Sequence, residues 1–178
     1  MNSTDLVSMI GNLSQSMFSI QHLLSGFAYL IGLIFFFVGL TKLKKIGGAG
    51  GHSQEKIFVP LAYFLGGAAL IFLPSTVHTL ANTAFGAGNV LAYTKYNQYN
   101  IYNAMKIIIE TTGLIWFIRG CVLLVSSSQP GVQHGPKGLM FLCAGVLAMN
   151  FQNTTAMLTA VMGQLEALTL TIKTSQGY

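Results

Sequence analysis

Apolar residues along this chain are gathered into four runs separated by shorter polar segments. The runs are Leu23–Leu40, Ile57–Leu73, Ile107–Val125 and Gly138–Phe151. A helix of about 20 apolar residues crosses the hydrocarbon core of a bilayer, and the first and third runs come close to that length. Pro60 in the second run is tolerated in a membrane helix. The pattern predicts four helices of transmembrane type.

Two further stretches, near the two ends of the chain, carry apolar residues at helical spacing. In residues 6–20 these are Leu6, Met9, Ile10, Leu13, Met17 and Ile20, and near the other end they are Met157, Val161, Leu165, Leu168 and Ile172. The spacing predicts an amphipathic helix at each end. Helices that lie on anionic lipid are rich in Lys and Arg, and these are not. We therefore expect both helices to pack against protein.

The chain contains an internal repeat. GLIFFFVGL at residues 32–40 aligns with GLIWFIRGC at 113–121, and FLGGAALIFL at 64–73 aligns with FLCAGVLAMN at 141–150. The offset falls from 81 to 77 residues, which a shorter second loop explains. Each unit contains two spans, so both copies face the same way. The sequence thus predicts an all-α membrane protein built from two tandem parallel-repeat helical hairpins.

The repeat divides the chain into two units. Residues 1–92 contain the N-terminal amphipathic helix and the first hairpin, and residues 93–178 contain a connector, the second hairpin and the C-terminal amphipathic helix. The connector YTKYNQYNIYN alternates tyrosine with asparagine. This composition is typical of a membrane–water interface, where a ring needs one apolar and one wet side. An exposed contact surface is the alternative interpretation.

The composition also indicates a membrane protein. Charged residues make up 7% of the chain and apolar residues 52%, whereas a soluble globular domain has about 25% charged residues. Basic residues are concentrated in the first hairpin loop, which holds Lys42, Lys44, Lys45 and Lys56. The positive-inside rule then predicts both hairpin loops in the cytoplasm and both termini on the opposite side.

Four glycines occupy matching places in the first helix of each hairpin. They are Gly32, Gly39, Gly113 and Gly120, and within each pair the spacing is seven residues. Residues seven apart lie on one helix face, and small residues let membrane helices approach closely. We expect these four glycines to be sites of helix packing.

Arg119 is a charge inside an apolar run, and its counterpart in the first repeat is Val38. About 9 Å of helix separates it from Val125 at the end of the run. Its side chain could therefore snorkel to the headgroups; contact with a polar lumen or a lipid phosphate is the alternative. Glu110, also in this run, lies one turn from Lys106, which predicts a local ion pair.

The sequence contains no group of residues that indicates catalysis. Its four histidines lack metal-ligand spacing, and GGAGG at 47–51 lacks the Gly-Lys-Ser/Thr ending of a phosphate loop. Cys121 and Cys143 fall at similar depth in the second hairpin, where apolar packing is favoured over a disulfide. We expect no enzymatic activity, no metal or other cofactor apart from bound lipid, and no sequence-specific binding of nucleic acid.

Residues 12–45, NLSQSMFSIQHLLSGFAYLIGLIFFFVGLTKLKK, resemble the IcmC/DotE and TraQ family of type IVB secretion and I-type conjugation systems. These are small integral membrane components. Each hairpin unit, with its amphipathic lead-in, apolar helix, short loop and second helix, is similar to a conjugative pilin. The resemblance implies a structural subunit of the bacterial inner membrane, with both termini periplasmic. It would assemble with itself and with other secretion components, as a channel or as a pilus extruded from the cell.

The likeness to pilins also implies contact with phospholipid, because such pilins turn a basic loop toward headgroups. In this chain the residues that would meet anionic phospholipid are Lys42, Lys44, Lys45, Arg119 and Lys137. The second loop departs from the pattern, since Lys137 is its only charged residue. Arg119, a turn or two deeper, would then supply the missing positive charge. A small multispanning transporter or channel is the alternative function, because parallel repeats are common there too.

Overall fold

A computed structural model of the chain describes residues 3–48, 56–86 and 100–175. Every regular element in these ranges is an α-helix, which confirms the all-α prediction. The helices are α1 (Ser3–Gly48), α2 (Phe58–Ile71), α3 (Leu73–Phe85), α4 (Ile101–Ser127), α5 (Gly135–Met149) and α6 (Phe151–Ser175). Most of the Tyr/Asn-rich connector and most of the GGAGG stretch lie outside the described residues.

Three helices are long and apolar enough to cross a membrane: α1 from Val7 onward, α4 and α6. The bent pair α2 and α3 makes a fourth if it counts as one span. Two expectations change. The amphipathic start of the chain and the first apolar run form one continuous helix, since no proline separates them. The predicted fourth run is short, because α5 ends after 15 residues, whereas the C-terminal helix has the length and apolar composition of a span.

Local signals set the start of the second hairpin. Asn100 caps α4, and its Oδ1 accepts a hydrogen bond of 3.0 Å from the backbone N–H of Tyr102. The loop after α4 turns at Gly131, whose φ of 83° suits glycine. Pro136 then lies in the first turn of α5, where its missing N–H has no partner to lose.

Each pair α1–α2 and α4–α5 forms an antiparallel hairpin whose two backbones touch at glycines. A Cβ added to Gly32 would lie 2.9 Å from the carbonyl oxygen of Gly67. A Cβ added to Gly113 would lie 2.9 Å from the carbonyl oxygen of Gly145. No side chain fits at these separations, so a glycine is required at each contact.

The two glycine contacts also define which positions of the hairpins correspond. Gly67 faces the backbone nitrogen of Phe36, and Gly145 faces that of Phe117. Phe36 and Phe117 are 81 residues apart, as the sequence alignment has it, but Gly67 and Gly145 are 78 apart. The contacts therefore place the second helices one residue away from the alignment predicted from sequence.

The two hairpins lie side by side with α1 and α4 running in the same direction. Toward one end, Gln21 Nε2 donates a hydrogen bond of 2.9 Å to Thr111 Oγ1. Further along both helices, Phe35 packs against the buried cluster that contains Val125. Residue numbers rise along both helices between these contacts, so both hairpin loops come to the same end of the molecule.

The second helix of each hairpin ends in a backbone break. Phe72 has φ −99° and ψ 37°, and Asn150 has φ −108° and ψ 44°. At the first break, Pro74 has no N–H for the carbonyl oxygen of Leu70, and α3 leaves α2 at 97°. At the second, Asn150 Nδ2 donates to the carbonyl oxygen of Val146 at 2.9 Å, so the side chain competes for a helical acceptor.

The apolar core lies where the first five helices meet. Its buried residues are Ala28, Leu70, Leu73, Ala81, Leu114, Phe117, Cys121 and Val146. Helix α6 contributes none of them, and every residue from Ala156 to Ser175 is exposed. At the start of α6 the ring of Phe151 lies 6.4 Å from that of Tyr102. The rest of α6 projects away from the core.

The glycine contacts lead to a first test. A Cβ on Gly120 would lie 2.6 Å from the backbone nitrogen of Leu142, and backbone cannot turn aside. We expect Gly120→Ala to lower the free energy of unfolding by about 1–3 kcal/mol, measured by thermal unfolding of the purified chain in detergent. Gly26→Ala is the matched control, because nothing lies within 4 Å of a Cβ there. It should leave stability unchanged or raise it by up to about 1 kcal/mol. Equal losses from both substitutions would contradict the packing role.

Candidate functional site

The structure places the four glycines singled out from sequence on the inner faces of the hairpins. Gly32, Gly113 and Gly120 meet the backbone of the facing helix, whereas a Cβ on Gly39 would lie 3.2 Å from the ring of Phe64. A ring can shift, so Gly39 is the least constrained of the four. Sequence reasoning missed two facing glycines that make equally close contacts. They are Gly138 and Gly145, and their spacing of seven residues would have identified them.

The basic residues expected at lipid headgroups do not form one cluster. Lys42 lies with Nζ 5.8 Å from the ring centre of Tyr63, and the guanidinium of Arg119 lies 5.1 Å from that of Phe141. Lys42 therefore belongs to the first hairpin and Arg119 to the second. The remaining three residues are exposed at the loop end of the hairpins: Lys44, Lys45 and Lys137.

The two rings that receive these cations occupy corresponding positions. Tyr63 and Phe141 are 78 residues apart, the offset set by the glycine contacts. The cations differ by one helical turn, because the counterpart of Arg119 is Val38, four residues before Lys42. A cation over an aromatic face is stabilised by about 0.5–1 kcal/mol at exposed sites. Each hairpin thus holds one cation over the same ring position.

The local ion pair predicted in α4 is present. Lys106 Nζ lies 3.6 Å from Glu110 Oε1, and the two residues are one turn apart. Both side chains are about three-quarters buried, with exposed fractions of 21% and 26%. Burial at this level keeps an ion pair from being fully screened by water.

Glu110 borders a cavity of about 340 Å³ at the level of the two helix breaks. Leu73 and Pro74 follow the first break, and Met149 and Asn150 form the second; all four line the cavity. The other polar side chains in the wall come from α1 and α3: Gln21, Ser25 and His78. The cavity joins residues from across the chain, so no local motif in the sequence could have revealed it.

Hydrogen bonds orient the two amide side chains of this cavity. Thr111 Oγ1 donates its hydrogen to the carbonyl oxygen of Ile107 at 2.7 Å, so it accepts from Gln21 Nε2. Asn150 Nδ2 faces the carbonyl oxygen of Val146, which can only accept. In both amides the nitrogen is committed to these partners, and the carbonyl oxygen points elsewhere.

A second cavity, of about 350 Å³, lies between α2, α4 and α5. Its wall is apolar apart from Ser127 and includes Leu65, Cys121 and Leu142. The Cys121 thiol is buried, that of Cys143 is exposed, and both are free. This cavity has the character of packing space rather than of a reactive site.

Within residues 3–48, 56–86 and 100–175, no group of three or more His, Cys, Asp or Glu side chains is arranged to hold a metal ion. No protein-family model, curated protein or solved structure matches the chain. Its function is therefore argued from the geometry above together with the resemblance of residues 12–45.

Proposed function

We propose that this chain is a self-assembling structural subunit of a type IVB secretion or conjugation apparatus in the bacterial inner membrane. It forms a channel or pilus that packs with phospholipid and contacts other components of the system. The observation that carries the proposal is α6, an apolar helix of 25 residues without one buried residue. Its stripe of large apolar side chains has no cover within the described part of the chain, and an assembly of copies would provide it.

The polar residues of α6 favour protein over lipid as its surroundings. Glu166 lies near the middle of the helix, and Lys173 lies two turns further on. A charged residue at the centre of a membrane helix costs about 2.5–3.5 kcal/mol on insertion scales. If copies of α6 pack together through the apolar stripe, this charged face turns to water or to a lumen, and the cost is avoided.

The length of α1 also indicates an assembly. A helix of 46 residues is about 69 Å long, whereas a bilayer with its headgroups is about 40–45 Å thick. One end of α1 therefore extends beyond the membrane. Its first half exposes large apolar side chains such as Met9 and Leu13, which are 55% and 50% exposed. A neighbouring subunit would cover them.

The hairpins support a tandem origin. Both have a glycine contact at the same place, a break after the second helix, and the same direction in the molecule. We infer that residues 1–92 and 93–178 are two copies of one pilin-like unit. The resemblance of residues 12–45 to the IcmC/DotE and TraQ family supports the assignment to a secretion or conjugation system.

The loop end of the hairpins is the end we assign to the cytoplasm, with both termini periplasmic. Lys44, Lys45 and Lys137 are exposed there, in keeping with the positive-inside rule. Basic residues near an anionic leaflet contribute about 1 kcal/mol each to lipid binding. Since Lys42 and Arg119 lie on different hairpins, we infer two phosphate-binding places rather than one.

Assembly is tested by changing the apolar stripe of α6. The double substitution Leu165→Gln, Leu168→Gln should reduce the purified particle toward the mass of a single chain, because it makes the contact surface polar. Light scattering of the detergent-solubilised protein measures the mass, and electron microscopy shows whether the wild type is a filament, a ring or a single particle. The control Thr159→Gln, Thr174→Gln changes the opposite face and should keep the assembly. A monomeric wild type would contradict the proposal.

The lipid contact is tested at Arg119. Arg119→Val introduces the residue found at the corresponding position 38, so membrane insertion should be retained. Mass spectrometry of the purified variant should show less co-purifying anionic phospholipid, and secretion or conjugation should fall, because a guanidinium holds a phosphate through two hydrogen bonds. Lys173→Val removes the same charge from α6 and is the control. If both variants retain lipid and activity, Arg119 is a snorkelling residue and its role in lipid binding is refuted.

A small transporter is the second candidate function, and the helix breaks favour it. In transporters built from repeats, discontinuous helices meet at the substrate site. Here the breaks at Phe72 and Asn150 both lie beside the 340 Å³ cavity. A flux of the ligand argued below into proteoliposomes would favour the transporter, whereas binding without flux fits the structural subunit.

A further inference from the structure

The wall of the cavity at the helix breaks is negatively charged. Glu110 lines it, whereas its partner Lys106 does not. Their separation of 3.6 Å exceeds hydrogen-bond length, so the carboxylate keeps the capacity to accept hydrogen bonds. His78 is held neutral, since its Nδ1 accepts from the Asn82 side-chain nitrogen at 3.1 Å. Glu110 is thus the one formal charge among the described side chains of the wall.

The uncharged groups of the wall add further acceptors. The nitrogen of the Gln21 amide is engaged with Thr111, and that of Asn150 with Val146. Asn150 is 7% exposed, and its Oδ1 has no hydrogen-bond partner among the described residues. A buried polar atom without a partner costs about 1–3 kcal/mol. A ligand that donates a hydrogen bond to this oxygen would remove that cost.

The size and lining of the cavity exclude a bare ion as a good fit. A volume of about 340 Å³ is within the range of small-molecule sites. Much of the wall is apolar, with Leu73, Val77, Leu114 and Met149. A ligand that fills it has an apolar body and places its polar group among Glu110, Gln21 and Asn150.

We propose that this cavity binds a primary ammonium group attached to a short apolar body. An ammonium has three N–H donors and no acceptor, and the wall offers three acceptors: the Glu110 carboxylate, Gln21 Oε1 and Asn150 Oδ1. An anion would meet the carboxylate without a counter-charge, and a neutral ligand would leave the carboxylate without a cation. The site is independent of whether the protein assembles into a pilus or transports a solute.

Two sources supply this chemistry. One is a free alkylamine that enters from the aqueous side, and the other is the ethanolamine headgroup of a phospholipid, whose chains would extend into the bilayer. Both place the same ammonium group at Glu110. They differ in whether membrane composition controls occupancy.

The test uses the full chain in nanodiscs of phosphatidylcholine, titrated with n-butylammonium by isothermal calorimetry at constant salt. We expect saturable binding to the wild type and at least about tenfold weaker binding to Glu110→Gln, because hydrogen bonds to a charged group are the strong ones. Asn150→Leu should weaken binding too. Glu166→Gln removes the same charge from exposed α6 and should bind like the wild type. Helical circular dichroism verifies that each variant is folded.

The wild type alone gives a second measurement. Butylammonium should bind at least about tenfold tighter than n-butanol, its uncharged analogue of similar size, and butyrate should not bind. In nanodiscs that contain phosphatidylethanolamine, an unchanged affinity for butylammonium identifies the free amine as the source. Competition, with ethanolamine lipid co-purifying with the wild type and lost from Glu110→Gln, identifies the headgroup. Equal binding of butyrate, or equal affinities of Glu110→Gln and Glu166→Gln, would overturn the proposal.

Discussion

Direct contact between helix backbones is the constraint on which the rest of this structure depends. Within a bilayer two apolar helices gain nothing by leaving lipid, so close packing has to hold them together. Gly32 with Gly67, and Gly113 with Gly145, bring the two arms of each hairpin so close that a Cβ would collide with a carbonyl oxygen. The register of each hairpin, and the height at which its second helix ends, follow from these contacts.

Because the hairpins share this register, features after it fall at matching heights. The breaks at Phe72 and Asn150 come level with each other beside α4, and the cavity lies between them. Different residues cause the two breaks: a proline removes a hydrogen-bond donor at the first, and an asparagine side chain occupies a helical acceptor at the second. The charge of Glu110 faces the space that these interruptions open.

The molecule thus combines a rigid inner part with a surface that is incomplete by itself. Five helices share one apolar core, whereas α6 and the first half of α1 expose large apolar side chains. A surface of this kind is typical of a subunit. A polar cavity inside the same fold is not required for assembly, which is why it is treated as a separate binding site.

The sequence by itself determined the all-helical fold, the helix spans of apolar composition, the Lys106–Glu110 pair and the glycine positions, because each depends on composition or on spacing within one helix. It predicted a repeat offset of 77 for the second arms, since Gly66, Gly67 and Ala68 align almost equally well with Cys143, Ala144 and Gly145. Contact with α1 and α4 decided between these registers. Tertiary structure alone also decided that Lys42 and Arg119 lie apart and that Gln21, His78, Glu110 and Asn150 share one cavity. Those relations join residues on different helices, and their distances depend on how the helices pack, which no local pattern encodes.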